Sequence, residues 1–109
     1  MKQINSDSQL NEVIKGEGLV FVLKHSSTCP ISQAAFTEYE KFAQGHSDLD
    51  CYYLIVQDAG SLSNYISEKF NIKHESPQAI MFKNGNANWH ASHWKITHSL
   101  LNSVLKENE

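Results

Sequence analysis

The chain has 109 residues, room for one hydrophobic core and one domain. Hydrophobic residues make up 40% and charged residues 19% of it, a composition that folds, and its longest apolar runs, Leu19–Leu23 and Cys51–Val56, fall far short of the about 20 residues a membrane-spanning helix needs. Nine basic residues against twelve acidic ones leave a net charge of -3, and all nine are Lys. A chain without Arg lacks the planar fork that reads guanine edges and clamps phosphates, so neither a nucleic acid nor a membrane is expected as a partner.

The N-terminus, Met1 to Asp7, lacks the apolar core of a secretory signal, which predicts a cytoplasmic protein. Lys2 to Asn5 is a short strand candidate. Ser6 with Gln9 three residues on forms a capping box, and Leu10, Val13 and Ile14 mark one helical face that Gly16 and Gly18 end. Leu19–Leu23 is a continuous apolar run, the pattern of a strand buried on both faces. After His25-Ser26-Ser27-Thr28 comes Cys29-Pro30, and Pro is preorganised for the first position of a helix. That helix carries Ile31, Ala35, Tyr39 and Phe42 at helical spacing until Gly45 stops it.

Cys51–Val56 reads as a second buried strand, and Leu62, Tyr65, Ile66 and Phe70 stripe the next helix. Pro77 precedes the strand around Ala79–Phe82. Asn84-Gly85 is a hairpin turn, and Ala87–Ser92 returns as an antiparallel edge. Ile96, Leu100, Leu101, Val104 and Leu105 form a closing helix. Helical crossovers make the first strand pairs parallel, and the tight turn makes the last pair antiparallel. The fold class is therefore α/β, a central mixed sheet of four to five strands with helices on both faces, in one domain over residues 1–109.

Reactive residues in such sheets gather outside the carboxyl ends of the parallel strands, and the strand from Leu19 runs into the loop that carries Cys29. There the free amides of a helix start and the positive end of its dipole favour thiolate over thiol. Ser32 stands one helical turn on, where a dithiol oxidoreductase carries its second cysteine, so the motif is C-x-x-S. A monothiol attacks a mixed disulfide and keeps the adduct, because no internal neighbour ejects it. Cys51 opens its strand at the opposite sheet edge, about 17–20 Å away, beyond the about 7 Å between Cα atoms that a disulfide allows. It reads as a small buried hydrophobe.

Thr28-Cys29-Pro30-Ile31-Ser32 after a buried strand, with His74-Glu75-Ser76-Pro77-Gln78 before the hairpin, resembles the monothiol bacilliredoxin family of thioredoxin-like proteins. The resemblance covers essentially the whole chain and implies a thioredoxin-like fold. It implies that Pro77 is cis and faces Cys29, and that the Ser76 backbone pairs with an extended segment of the substrate. It also implies an activity: Cys29 takes bacillithiol, the co-substrate, from bacillithiolated proteins, and a second low-molecular-weight thiol with a separate reductase completes a cycle of redox homeostasis under oxidative stress. Other readings remain open, namely a peroxide-reducing thiol and a noncatalytic thioredoxin-like module or iron-sulfur carrier that uses Cys29.

Lys24 is the nearest candidate in sequence for the carboxylates of the small thiol, against a merely solvated lysine. His25 and His74 could favour the Cys29 thiolate, against solvated loop histidines. Asp58 could manage a proton or cap the helix that begins near Ser61. His90 and His93, three apart on the expected edge strand, face opposite sides, so no metal is expected. Trp89 and Trp94 could form a docking surface or pack on the last helix.

Overall fold

The computed structural model describes all 109 residues. Its strands are β1 (Lys2–Gln3), β2 (Leu19–His25), β3 (Asp50–Ile55), β4 (Gln78–Lys83) and β5 (Asn86–Ser92). The helices are α1 (Asp7–Ile14), α2 (Pro30–Gln44), α3 (Gly60–Phe70) and α4 (His98–Asn108), with a short 3-10 turn at His93–Lys95. The five strands form one sheet in the order β1-β3-β2-β4-β5. Pairs β1/β3 and β2/β3 are parallel, as helical crossovers require, and β4/β5 is antiparallel, as the tight turn requires. β2/β4 is antiparallel as well, because the segment from Asn71 to Pro77 after α3 returns the chain to the edge where β2 ends before β4 begins.

Alternation along β2 sorts the core into two. Val20 and Val22 face α1 and α3 with Leu10, Leu62 and Ile66, whereas Phe21 and Leu23 face α2 and α4 with Tyr39, Phe42 and Leu101. Both faces of β2 are covered, which is why its sequence is continuously apolar. The α1 cap is as expected in that the Gln9 amide donates to Ser6 Oγ at 3.2 Å. Its return bond reaches one residue further back, from the Asn5 amide to Gln9 Oε1 at 2.6 Å. Asn84 and Gly85 both take positive φ, 53° and 80°, the pair that a two-residue hairpin turn matching strand twist needs.

Several expectations are corrected. The strand read as Cys51–Val56 spans Asp50–Ile55, and α3 starts at Gly60 behind Ala59, with no side chain capping it, so Asp58 is an exposed turn residue. Its amide closes the turn on the Ile55 carbonyl. The edge strand ends at Ser92 as expected, but His93, taken with His90 as part of it, lies outside: it turns into the left-handed region at φ 57° and opens the 3-10 turn. The two Trp part company: Trp89 packs on the α2/α4 core, and Trp94 is 70% exposed.

Candidate active site

Three chain segments meet at the edge where β2 ends. β2 runs into the Ser26–Cys29 loop and α2. β3, parallel to it, ends in the Val56–Ala59 loop, tied back by the Val56 amide to the His25 carbonyl at 2.8 Å. β4, antiparallel, begins there with Gln78 opposite Lys24, so Pro77 arrives at the same edge. The Ser76–Pro77 peptide is cis. The Pro77 carbonyl accepts from the His93 amide at 3.0 Å, which brings the 3-10 turn alongside.

Cys29 is half-buried and serves as the N-cap of α2, in extended backbone, with Pro30 at the first helical position. Its carbonyl accepts the Gln33 amide at 3.0 Å, while its Sγ makes no capping bond. Ile31, one turn ahead of Ala35, lines a cleft of about 410 Å³ with Glu38, His93, Trp94 and Ile96. Thr28 and the exposed Pro30 flank the thiol.

Ser32 is fully buried. Its Oγ accepts the Ser26 amide at 2.8 Å and lies 2.9 Å from His25 Nδ1. Since the hydroxyl has one proton of its own, it can donate that proton to a neutral imidazole. His25 is accordingly no solvated loop residue: it ends β2 in the interior, its ring 4.7 Å from that of Phe36. Burial lowers its pKa, the backbone of Ser32 opposing in part. The vacant resolving position is thus filled by a hydroxyl that ties α2 to the end of β2.

Lys24 is corrected in both of its readings. Neither solvated nor free for a ligand, it is fully buried, because alternation along β2 points it at α3. There Nζ donates to the Ser63 carbonyl and to Ser67 Oγ, both at 3.1 Å, and lies 3.3 Å from His74 Nδ1. His74 is an exposed residue, but its Nδ1 is engaged from within, by Lys24 and by Ser63 Oγ, 3.1 Å away. Burial pushes the Lys24 pKa down to about 8, and burial followed by the Lys24 charge lowers that of His74. Ser76 sends its hydroxyl into the interior without a hydrogen-bond partner, as does the Oε1 of Gln78.

Gln57, which carried no signal in the sequence, is the side chain that holds the Cys29 loop. Its Oε1 accepts the Ser27 amide at 3.1 Å, and its Nε2 donates to Ser26 Oγ at 2.8 Å and Thr28 Oγ1 at 3.3 Å. The second thiol, Cys51, is 5% exposed and pairs in register with Phe21 early in β2. It therefore sits away from the edge that carries Cys29, as the topology predicts.

A half-buried cysteine at a helix start, at the same sheet edge as a cis proline that heads an antiparallel strand, defines a thioredoxin-fold redox protein. The whole-chain comparisons agree on the class. A presumed oxidoreductase with a thioredoxin fold is 48% identical, at TM-score 0.87, over 93% of this chain and 89% of its own. The thioredoxins of Plasmodium falciparum and Fasciola hepatica, 18% and 15% identical, share the fold at TM-score 0.79 over the full length of both chains. The family model described as Monothiol bacilliredoxin BrxC matches residues 2–101, and the chain belongs to that family.

Proposed function

We propose that this protein removes bacillithiol from protein mixed disulfides in the cytoplasm, with Cys29 as the nucleophile. The observation that carries the reading is the pairing of one accessible thiol at the start of α2 with a hydroxyl, Ser32, where a second thiol would resolve it. The Cys29 thiolate attacks the bacillithiol sulfur of the mixed disulfide. A disulfide forms between Cys29 and bacillithiol, and the protein sulfur leaves as a thiolate that takes up a proton. Ser32 has no sulfur with which to break that bond. A second molecule of a low-molecular-weight thiol attacks the adduct instead, restoring the Cys29 thiolate and releasing a disulfide of two small thiols, which a separate reductase consumes. Along the way the Ser76 backbone holds an extended segment of the client beside Pro77. Sulfur chemistry of this kind needs no metal.

The test is intact mass and peptide mapping after incubation with a bacillithiolated client protein. The expected result is one bacillithiol on Cys29, none on Cys51, and a client returned to its free thiol. Transfer that survives Cys29→Ser, or a disulfide between Cys29 and Cys51, would overturn the mechanism.

A further inference from the structure

An ammonium group inside a protein is costly, and a methionine would fill the place of Lys24 without that cost. No carboxylate pairs with it: the two ion pairs of the molecule, Lys15 with Glu12 and Lys41 with Glu38, lie on the surface. Two of its partners do not need it. The Ser63 carbonyl and Ser67 Oγ already bond each other along α3, at 3.2 Å. His74 is different, because it belongs to the segment from Asn71 to Pro77 that links α3 to β4, and Lys24 Nζ ties that segment to the sheet two residues ahead of Ser76. The segment has other ties. Before His74, the Ile72 amide bonds the Ser67 carbonyl at 3.1 Å and the Lys73 carbonyl accepts from Gln78 Nε2 at 3.0 Å. At His74 itself, Ser63 Oγ lies 3.1 Å from the same Nδ1, and at the segment's end the Pro77 carbonyl accepts from the His93 amide at 3.0 Å, so that Lys24 is the one charged tie among them.

We infer that Lys24 and His74 are positioning residues: the buried ammonium docks the His74 imidazole and so fixes the segment that presents Ser76 and Pro77 beside Cys29, and protonation of His74 releases it. The role of Ser76 and Pro77 in holding the client rests on the function proposed above.

The chemistry of the contact gives the direction. An ammonium only donates, so Nδ1 must be the lone-pair nitrogen and His74 must be neutral, with its proton on Nε2. A protonated His74 would turn an N–H toward a cation 3.3 Å away, exchanging a hydrogen bond for like-charge repulsion. Relief for the new charge comes from the outer face of His74, which is exposed, and from Ser63 Oγ, 3.1 Å from the same Nδ1; on the Lys24 side there is little. In register, Lys24 lies between Leu54 of β3 and Gln78 of β4, α1 adds the apolar Leu10 and Ile14 to this face, and α3 contributes Ser63 and Ser67. Glu75, next along the segment, is the one anion acting on His74, and its effect is outweighed by burial and by Lys24. Contact is therefore kept at neutral pH and lost on acidification.

Bacillithiol transfer from a client protein to Cys29 is measured between about pH 5 and 8, and each rate is divided by the rate at which iodoacetamide alkylates Cys29 at the same pH. The small alkylating agent needs the thiolate but not the Ser76 segment, so the quotient removes the titration of the thiol itself. In the wild type the quotient should fall at least fivefold toward the acid end. His74→Gln, whose amide oxygen accepts from Lys24 and does not titrate, should keep the neutral value across the range. His74→Leu and Lys24→Met should be at least fivefold low throughout, with alkylation within twofold of wild type. Wild-type quotients in Lys24→Met and His74→Leu, or an acid fall that persists in His74→Gln, would overturn the inference. Wild-type protein that transfers no bacillithiol at all counts against the proposed function alone. The latch is then decided by NMR: the amides of Glu75 and Ser76 should titrate with the His74 ring in the wild type and not in His74→Gln, and independent titration would overturn it.

Discussion

Ser32 shows how much one hydroxyl can hold when its position forbids solvent. Removing it leaves the Ser26 amide and His25 Nδ1 without their partner in the interior. Ser32→Ala should therefore cost about 1–3 kcal/mol of stability, read from denaturant melts, while the adduct on Cys29 still forms because the nucleophile is untouched. Ser32→Cys should accumulate a disulfide to Cys29, since residues three apart share a helix face. An adduct that persists in that variant would mean that position 32 does not face the thiol. Ser76 presents the opposite balance, a buried hydroxyl with nothing to bond. Ser76→Ala should be neutral or stabilising by about 1 kcal/mol and leave transfer unchanged, because the backbone, not the hydroxyl, is what meets the client. Lys24 carries a pH signature of its own. Its pKa near 8 in the fold lies below the unfolded value of 10.5, so the unfolded chain binds more protons between the two. Stability of the wild type relative to Lys24→Met should thus rise, by at most about 3 kcal/mol, as pH climbs through that window. Urea midpoints of the two proteins at about pH 7.5 and 10 check it, and a constant difference would show that the ammonium is hydrated.

At the scale of elements, the site is made by loops that depend on one another. Gln57 on the loop after β3 braces all three residues ahead of Cys29. Gln57→Leu keeps the bulk and loses the bonds, so client transfer should fall severalfold while the melting temperature shifts little at this exposed position; an unchanged rate would show that the loop holds itself. Periodicity exposed the four helices and the two buried parallel strands, because β2 is apolar on both faces and the helices carry single stripes, while Pro77 and the Asn84-Gly85 turn marked the hairpin. The motif around Cys29 exposed the nucleophile, since Pro30 marks the helix start in sequence as it does in space. What stayed hidden were contacts that only crossing elements create. A carboxamide such as Gln57 has no periodicity to betray it. Lys24 did leave a trace: a lysine beside a run buried on both faces needs a polar partner, and Ser63 and Ser67, four apart and flanking the apolar stripe of α3, supply one. Read singly, Lys24 and His74 suggested a ligand site and a thiolate tuner, and pairing across α3 reassigns them both.

For the molecule as a whole, the sheet keeps its two thiols in different environments. Parallel strands put the end of β2, with Cys29, at one edge, and the start of β3, with Cys51, near the other. Cys51 lies in the α2/α4 core beside Tyr39, whose hydroxyl donates to the Tyr52 carbonyl at 2.7 Å. Burial is the main cause that raises its pKa to about 11. At neutral pH only roughly one part in 10⁴ of it is thiolate, so access and ionisation both protect it. A monothiol mechanism gains from this, because a reactive second cysteine would offer the adduct an internal exit or a dead-end disulfide. The native protein should therefore react with one equivalent of a disulfide reagent such as dithionitrobenzoate at about pH 7, and Cys29→Ser with none on the same timescale. Denaturant should expose the second equivalent, at a rate that follows unfolding and not reagent concentration once the reagent is in excess. Two fast equivalents in the native wild type would place Cys51 within reach of solvent and remove the basis for a single-thiol cycle.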